Sequence, residues 1–372
     1  MMSQIFSNSR RLLYDATMTL LRPDMSEWIV ARAEHIGFDL CAITPAMAAP
    51  RAEKFYRWLD DGYHGDMAWL ARDRERRADP GVVLSGAKSM VMVGLSYYVD
   101  EPDPAWWNDP LRGRVARYAW APDYHDRMTP MLAELGGAIQ EKLGQPAGMR
   151  WYVDTGPVLE REHAERAGLG FIGKNTLLIS PKFGSYLLLG EILLDVELPA
   201  YGLRAEGASA GTCGSCRRCQ DICPTHAFPA PWILDSNKCI SYLTIEHKGS
   251  IPEHLRPLMR NWIYGCDECQ SICPWVKQFS SPPKSTSYAR LDPDVCAPSL
   301  LELIALDARG FNQRFKGFPM TRTKRRGVLR NVAVALGNSK KPEAAPALER
   351  ALDDPEPLVV EHARWALEHL SA

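Results

Sequence analysis

Apolar residues follow two spacings along this chain, and each predicts its own elements. Ile29, Ala33 and Ile36 recur at helical spacing, which predicts a helix over Met25–Phe38 that Gly37 ends. Ser89–Tyr98 (SMVMVGLSYY) is a continuous apolar run and predicts a buried strand. Pro130–Leu143 predicts a second helix. Trp151–Val153 predicts a short strand that stops at Asp154-Thr-Gly-Pro157. Val158–Ala167 predicts a third helix, and Tyr186–Val196 a strongly apolar strand. Residues 25–200 therefore mix both kinds of element, as an α/β or α+β domain does. Residues 201–211 (YGLRAEGASAG) predict a linker, and Ser280–Tyr288 is rich in Pro and Ser. Beyond them come three helical stripes. Leu329, Val332, Ala333 and Leu336 form one, Leu348 and Leu352 a second, and Val359, Ala363, Ala366, Leu367 and Leu370 a third. Pro342 and the Asp353–Pro357 segment punctuate them. Short helices with one apolar face each predict a stacked helical-repeat cap.

A length of 372 residues accommodates two to three such units. The 46% apolar and 24% charged content is that of a globular protein rather than a disordered one. No apolar run approaches the ~20 residues of a membrane span. Asp15 and Thr17 interrupt the apolar stretch near the N-terminus and no small-residue cleavage site follows, so an extension is expected there rather than a secretory signal. The net charge of −1 conceals an asymmetry. Arg309–Arg330 holds eight Lys or Arg and no acid. Arg314, Lys316, Arg322, Lys324, Arg325, Arg326 and Arg330 make an electrostatic footprint suited to RNA phosphates. The plainer alternative is a solvated helix face.

The cysteines carry the chemistry. Eight of the ten lie between 213 and 273. Cys213-Gly-Ser-Cys216-Arg-Arg-Cys219-Gln-Asp-Ile-Cys223-Pro224 has the C-x2-C-x2-C-x3-C-P spacing of four-iron clusters. Cys266-Asp-Glu-Cys269-Gln-Ser-Ile-Cys273-Pro274 is a second, shorter run. In two-cluster ferredoxins the Cys before Pro crosses to the other cluster. On that rule Cys273 completes the set Cys213, Cys216 and Cys219. Cys223 joins Cys266 and Cys269, with Cys239 as the last member. A chain of this length needs no disulfide staples. Zinc is the remaining alternative, although it does not call for the third Cys and the Pro. Cys41 reads as a small buried hydrophobe. Cys296 has no assigned role.

Gly168-Leu-Gly170-Phe-Ile-Gly173 matches G-x-G-x-x-G but follows a helical segment and precedes a strand-like run. A dinucleotide site needs the reverse order. These glycines are expected instead to let a loop approach something large and flat.

Taken together, the cysteine pattern, Tyr152-Val-Asp154-Thr-Gly156, Glu165–Asn175, Asp123-Tyr-His125, Gly265-Cys-Asp267 and the basic tail Met320–Asn331 resemble the epoxyqueuosine reductase family over residues 25–372. The resemblance implies reduction of the epoxide of epoxyqueuosine at the wobble position of tRNA, using cobalamin and two [4Fe-4S] clusters. It implies an α+β multidomain chain. A nitroreductase-like cobalamin-binding domain spans 25–205, a ferredoxin-like cluster module 206–285, and HEAT-like helices 286–372, after an extension over 1–24. It assigns Asp154 as the proton donor, a role that calls for a buried, protonated carboxyl. From its local sequence alone, Asp154 reads as a turn or cap residue ahead of Pro157. Corrin contacts are expected from Arg77, Ala116, Asp154, Lys174, Asn175, Leu178, Ile179, Ser180 and Ser241. Arg117 is a further, weaker candidate. The D-x-H-x-x-G motif that supplies histidine to cobalt is missing, because Asp126-Arg-Met128 stands where its Gly is due. The family likewise leaves the lower axial position of cobalt without a protein ligand. RNA contacts are expected from Lys248, Arg322, Lys324, Arg325 and Arg326. The implied partners are tRNA and an external flavodoxin- or ferredoxin-like electron donor, for a cytoplasmic monomer. The alternatives are a reductive dehalogenase-like enzyme, which usually carries an export signal and no basic cap, and a plain electron carrier. A carrier has no use for the long domain ahead of its clusters.

Overall fold

The computed structural model describes residues 23–202, 211–282 and 291–371. The N-terminal extension, most of the predicted linker and the Pro/Ser-rich stretch lie outside those residues. Helix α1, Pro23–Ile36, leads into β1, Leu40–Pro45. Strand β2, Ser89–Ser96, is buried at every position, as its unbroken apolar run requires. Helix α2, Tyr124–Leu143, starts earlier than its sequence pattern predicts and keeps Pro130 inside it. Asp123 caps it by accepting from the His125 N–H, and Tyr124 and Met128 are buried. That cap and packing outweigh the one backbone bond that proline removes. Strand β3, Met149–Tyr152, helix α3, Glu160–Arg166, and strand β4, Leu187–Leu194, follow.

The four strands lie in the order β1-β2-β4-β3, and every neighbouring pair is antiparallel. The domain is thus α+β. Alternation along the strands serves two cores. Val91, Val93, Leu95 and Ile192 meet Ile29, Met128 and Leu132 on one face. Met90, Met92, Leu189 and Leu193 share the other face with Ala164 and Ala167.

The cysteine region is built from short helices at Arg218–Asp221, Glu268–Ser271 and Pro274–Phe279, with α4, Ile240–Ile245, between them. It is tied to the sheet domain. Cys273 and Val276 join the core of α1 and β2, and Trp262–Tyr264 pairs in parallel with Arg114–Val115. The C-terminal helices are α5, Lys324–Asn338, α6, Ala345–Ala351, and α7, Pro357–Ser371. Helix α5 buries Val328 and Val334 as well as its predicted stripe, because it packs against α7, α4 and Trp262–Tyr264. A Cβ on Gly337 would stand 2.9 Å from the Cα of Ala366, so the α5–α7 approach depends on glycine there.

The glycine-rich segment packs closely on its own chain at Gly170. It leads into a hairpin of Phe171–Ile172 with Leu178–Ile179. A side chain on Gly170 would collide with the Ile179 carbonyl, so the close approach is to the chain itself. Among the described residues, no helix is long and apolar enough to cross a membrane.

Candidate cluster and active site

The eight cysteines are all free thiols, and they fall into two groups. Burial first, and then Cys213, Cys273 and Cys216, raise the Cys219 thiol to about 11. Cys273 is lifted in turn by Cys213 and Cys216 after burial. In the second group, burial and then Cys269 and Cys239 raise Cys266, while Cys239 and Cys223 act on Cys269. The fold thus brings Cys273 to Cys213, Cys216 and Cys219, and Cys223 and Cys239 to Cys266 and Cys269. Cys219 also acts on Cys269, so the groups adjoin. Four thiolates gathered at one buried place demand positive charge, which iron supplies.

Local structure aims donors at the sulfurs. Cys239 stands at the N-cap of α4, and the N–H groups of Tyr242 and Ser241 point at its sulfur. Cys273 caps Pro274–Phe279, where Pro274 takes the first helical position, and the N–H groups of Val276 and Trp275 reach its sulfur. Lys174 and Ala227 donate N–H groups to the Cys213 and Cys223 sulfurs, each at 3.4 Å. Such bonds favour thiolate and tune a cluster's potential.

Asp154 follows β3 with φ +58°, in a left-handed conformation that is uncommon for a non-glycine residue. The Tyr124 hydroxyl donates to its Oδ2 at 2.7 Å. Burial, and then the Asp154 charge, push the Tyr124 phenol far up, so it remains a donor. The expected burial of Asp154 is not found. Its place after the strand, on a turn open to solvent, leaves it exposed. The shielded acids of this corner are Glu160 and Glu191. Neither was singled out from sequence, although Glu191 is the lone acid of the apolar run Leu187–Leu194. Burial and then the Asp154 charge push Glu160 up to about 8, against Arg161 and Arg77. Tyr118 packs at 6.2 Å from Tyr124 and 6.0 Å from Tyr264 (ring centroids). This row of three tyrosines runs from Asp154 to the residue two before Cys266.

Three of the expected corrin contacts, Asn175, Ala116 and Ser241, stand beside the second thiol group. Asn175 donates to the Cys269 carbonyl at 3.4 Å. The Ala116 N–H donates to the Tyr264 carbonyl at 2.8 Å. Ser241 stands by Cys239, while Leu178, Ile179 and Ser180 are buried in the hairpin. Lys174 departs from the expectation. Its ammonium is spent on the Gly214 and Cys216 carbonyls at 2.7 and 2.9 Å, so it braces the first cluster loop. The buried Arg77 holds the Gly156 carbonyl at 3.2 Å beneath Asp154. Its Nε is buried without a partner, a donor that an amide or phosphate oxygen of a corrin would satisfy. The donor set therefore fits the cofactor. Arg117 is committed elsewhere, to the Tyr186 hydroxyl at 2.6 Å and the Val99 carbonyl at 3.1 Å.

The basic stretch divides. Arg322, Lys324 and Arg326 are exposed. Lys248 is lowered by burial first and then by Arg322, Arg330 and Lys324, which places these cations together. Arg322 bonds Glu246 at 2.7 Å and lies within the fields of Asp154 and Tyr124. Arg325 turns inward instead, in a two-pronged pair with Asp354. Arg330 is fully buried. A count of positive charges in sequence cannot separate braces from free cations.

Residues 77–155 match the family described as "Epoxyqueuosine reductase QueG, DUF1730", and 212–276 match "4Fe-4S double cluster binding domain". An epoxyqueuosine reductase of Xanthomonas campestris pv. campestris is 42% identical over 94% of this chain and 98% of its own length. The chain belongs to the epoxyqueuosine reductase family. The epoxyqueuosine reductase of Escherichia coli (strain K12) is 39% identical over 89% of this chain and 86% of its own. A crystal structure of an epoxyqueuosine reductase with an epoxyqueuosine-modified tRNA-Tyr stem loop is similar at TM-score 0.83 and 29% identity. It covers 94% of this chain and 91% of that one. The match over 212–276 makes the thiol groups part of a double [4Fe-4S] domain and closes the zinc alternative.

Proposed function

We propose that this protein reduces the epoxide of epoxyqueuosine, at the wobble position of tRNA, to the alkene of queuosine. The observation that carries the proposal is the juxtaposition at Asp154. A tyrosine holds its carboxyl, a tyrosine row leads from it toward a thiol group, and the cation Arg322 stands beside it. Removing an epoxide oxygen as water takes two electrons and two protons. Two adjacent clusters deliver electrons one at a time from an external flavodoxin- or ferredoxin-like donor. Cobalamin, when bound, supplies a centre that collects both electrons and reacts with carbon. Arg77, Ala116, Asn175, Leu178, Ile179, Ser180 and Ser241 line its place, and Lys174 steadies the loop beside it.

Asp154 protonates the leaving oxygen, as general acid. Its exposure suits a loop that must meet an RNA base, and the Tyr124 hydroxyl orients it. A Bacillus subtilis epoxyqueuosine reductase is described with its catalytic loop swung out of the active site, which supports reading the exposed Asp154 turn as such a loop. Lys248, Arg322, Lys324 and Arg326 meet the phosphates of the anticodon arm. The nitroreductase-like, ferredoxin-like and HEAT-like units of residues 25–205, 206–285 and 286–372 divide this labour, in a cytoplasmic monomer. Two measurements test the proposal. A strain lacking the protein should accumulate epoxyqueuosine in its tRNA by mass analysis. Asp154→Ala should keep its iron and cobalamin but lose most turnover. Normal queuosine in that strain, or full activity in that variant, refutes the assignment.

A further inference from the structure

The corner behind Asp154 holds more carboxyl groups than one proton donor needs. The backbone N–H of Asp154 bonds the Glu160 carboxyl at the first turn of α3. This contact helps keep Asp154 in its left-handed conformation. The other Glu160 oxygen, Oε1, is buried and has no partner. Glu191 stands opposite Tyr152 in the β3–β4 register, two residues before Asp154. It is 0% exposed, and neither of its oxygens has a hydrogen-bond partner. An ionised carboxylate in that setting is prohibitively costly, so Glu191 carries a proton. The charges of Glu160 and Asp154 act on it. Arg161 and Arg77 are the cations that face Glu160, and Tyr124 is the further titratable group beside it. Arg161 is engaged with the Thr176 carbonyl and Arg77 with Gly156.

This arrangement answers a stoichiometric need. Two electrons open the first C–O bond, and the resulting alkoxide takes one proton. Cleavage of the second C–O bond releases the oxygen as water and takes another proton. One carboxyl supplies one proton. We infer that Glu160 is a positioning residue that holds the second proton and returns it to Asp154 between the two cleavages, with Glu191 as a neutral neighbour that excludes water behind it. Solvent reprotonates Glu160 after product leaves. The inference rests on the epoxide-reducing role of Asp154.

The test compares wild type, Glu160→Gln, Glu160→Asp and Asp154→Ala, each carrying both clusters and cobalamin. Dithionite serves as donor and an epoxyqueuosine-modified stem loop as substrate. Glutamine keeps the acceptor for the Asp154 N–H but holds no exchangeable acid proton. Wild-type kcat should fall as pH rises through about 8, where Glu160 ionises. Glu160→Gln should lower kcat by roughly 100-fold, the lower end for a lost acid–base group, and abolish that limb without changing KM. Glu160→Asp should restore the limb. Independently of turnover, infrared difference spectra of the wild type should show a carboxylic C=O band that titrates near pH 8. That band decides the matter even if the glutamine variant fails to fold. Inactive Asp154→Ala with an unchanged Glu160→Gln profile overturns this inference alone. Active Asp154→Ala overturns the function of Asp154 and this inference with it. A wild type with no carboxyl band titrating in that range overturns the inference directly.

Discussion

Arg330 is the residue at which a charge footprint and a structural brace make opposite predictions. Its guanidinium is fully buried. It donates to the carbonyls of Leu243 at 2.6 Å, His247 at 2.9 Å and Gly249 at 2.7 Å, and to Asn331 Oδ1 at 2.9 and 3.0 Å. Those carbonyls belong to α4 and the loop after it, so Arg330 joins the helical cap to the cluster region. Burial first, and then Arg326 and Arg256, lower its pKa to about 10, still charged at neutral pH. Arg330→Ala leaves three carbonyls short of donors, at ~1–3 kcal/mol each. Relief from burying a charge offsets part of this, for a net loss of about 4 kcal/mol. At ~2.1 cal/mol/K per residue, a chain of 372 residues unfolds with an entropy of about 0.8 kcal/mol/K. Tm should therefore fall by about 5 °C. Thermal unfolding followed by circular dichroism measures the shift, and fluorescence anisotropy measures binding of a tRNA stem loop. Arg322→Ala and Lys324→Ala, at exposed sites, should do the reverse and leave Tm within about 1 °C while weakening RNA. An Arg330→Ala protein with wild-type Tm and weakened RNA binding refutes the brace.

Four further outcomes follow from the same geometry. Cys239→Ser should lose or convert one cluster and spare the other, and an unchanged iron count and electron paramagnetic resonance spectrum would undo its place in the second set. Each of Arg322→Ala and Lys324→Ala should flatten the plot of log affinity against log salt by about 0.7, one single-strand phosphate contact; parallel plots argue against contact. Glu191 is raised by burial first, so the native state holds its proton where the unfolded chain has released it. Its contribution to stability is therefore lost as pH rises above the ordinary carboxylate range, and Glu191→Gln should unfold at a higher temperature than wild type at pH 8 but not at pH 4. Equal differences at both pH values contradict that linkage. Gly337→Ala should cost about 1–3 kcal/mol, since its Cβ meets helix backbone rather than a yielding side chain; an unshifted denaturation midpoint shows that the helices have room to separate.

Local pattern was enough for most of the elements. Gly37 ends α1, and the apolar runs at Ser89 and Tyr186 became β2 and β4, because period and length are properties of a short segment. The start of α2 escaped, because Pro130 is a helix breaker by itself and only the packing of Tyr124 and Met128 overrides it. The glycine-rich loop shows a similar limit of local pattern. Its sequence announces close approach but not what is approached.

The cysteine spacing by itself determined the most. Three thiols on one tight turn can hold three corners of a cluster, and the fourth must then come from elsewhere, which the C-P pairs supply. What only the tertiary structure decided is everything that depends on distance between remote segments. It distinguished Arg330, a buried brace, from Arg322, an exposed cation paired with Glu246 and within the field of Asp154. It moved burial from Asp154 to Glu160 and Glu191, which lie on α3 and β4. A residue's type sets which proton or charge it can carry. Whether it keeps that proton is set by solvent access and by charges that the fold, not the neighbouring sequence, brings alongside.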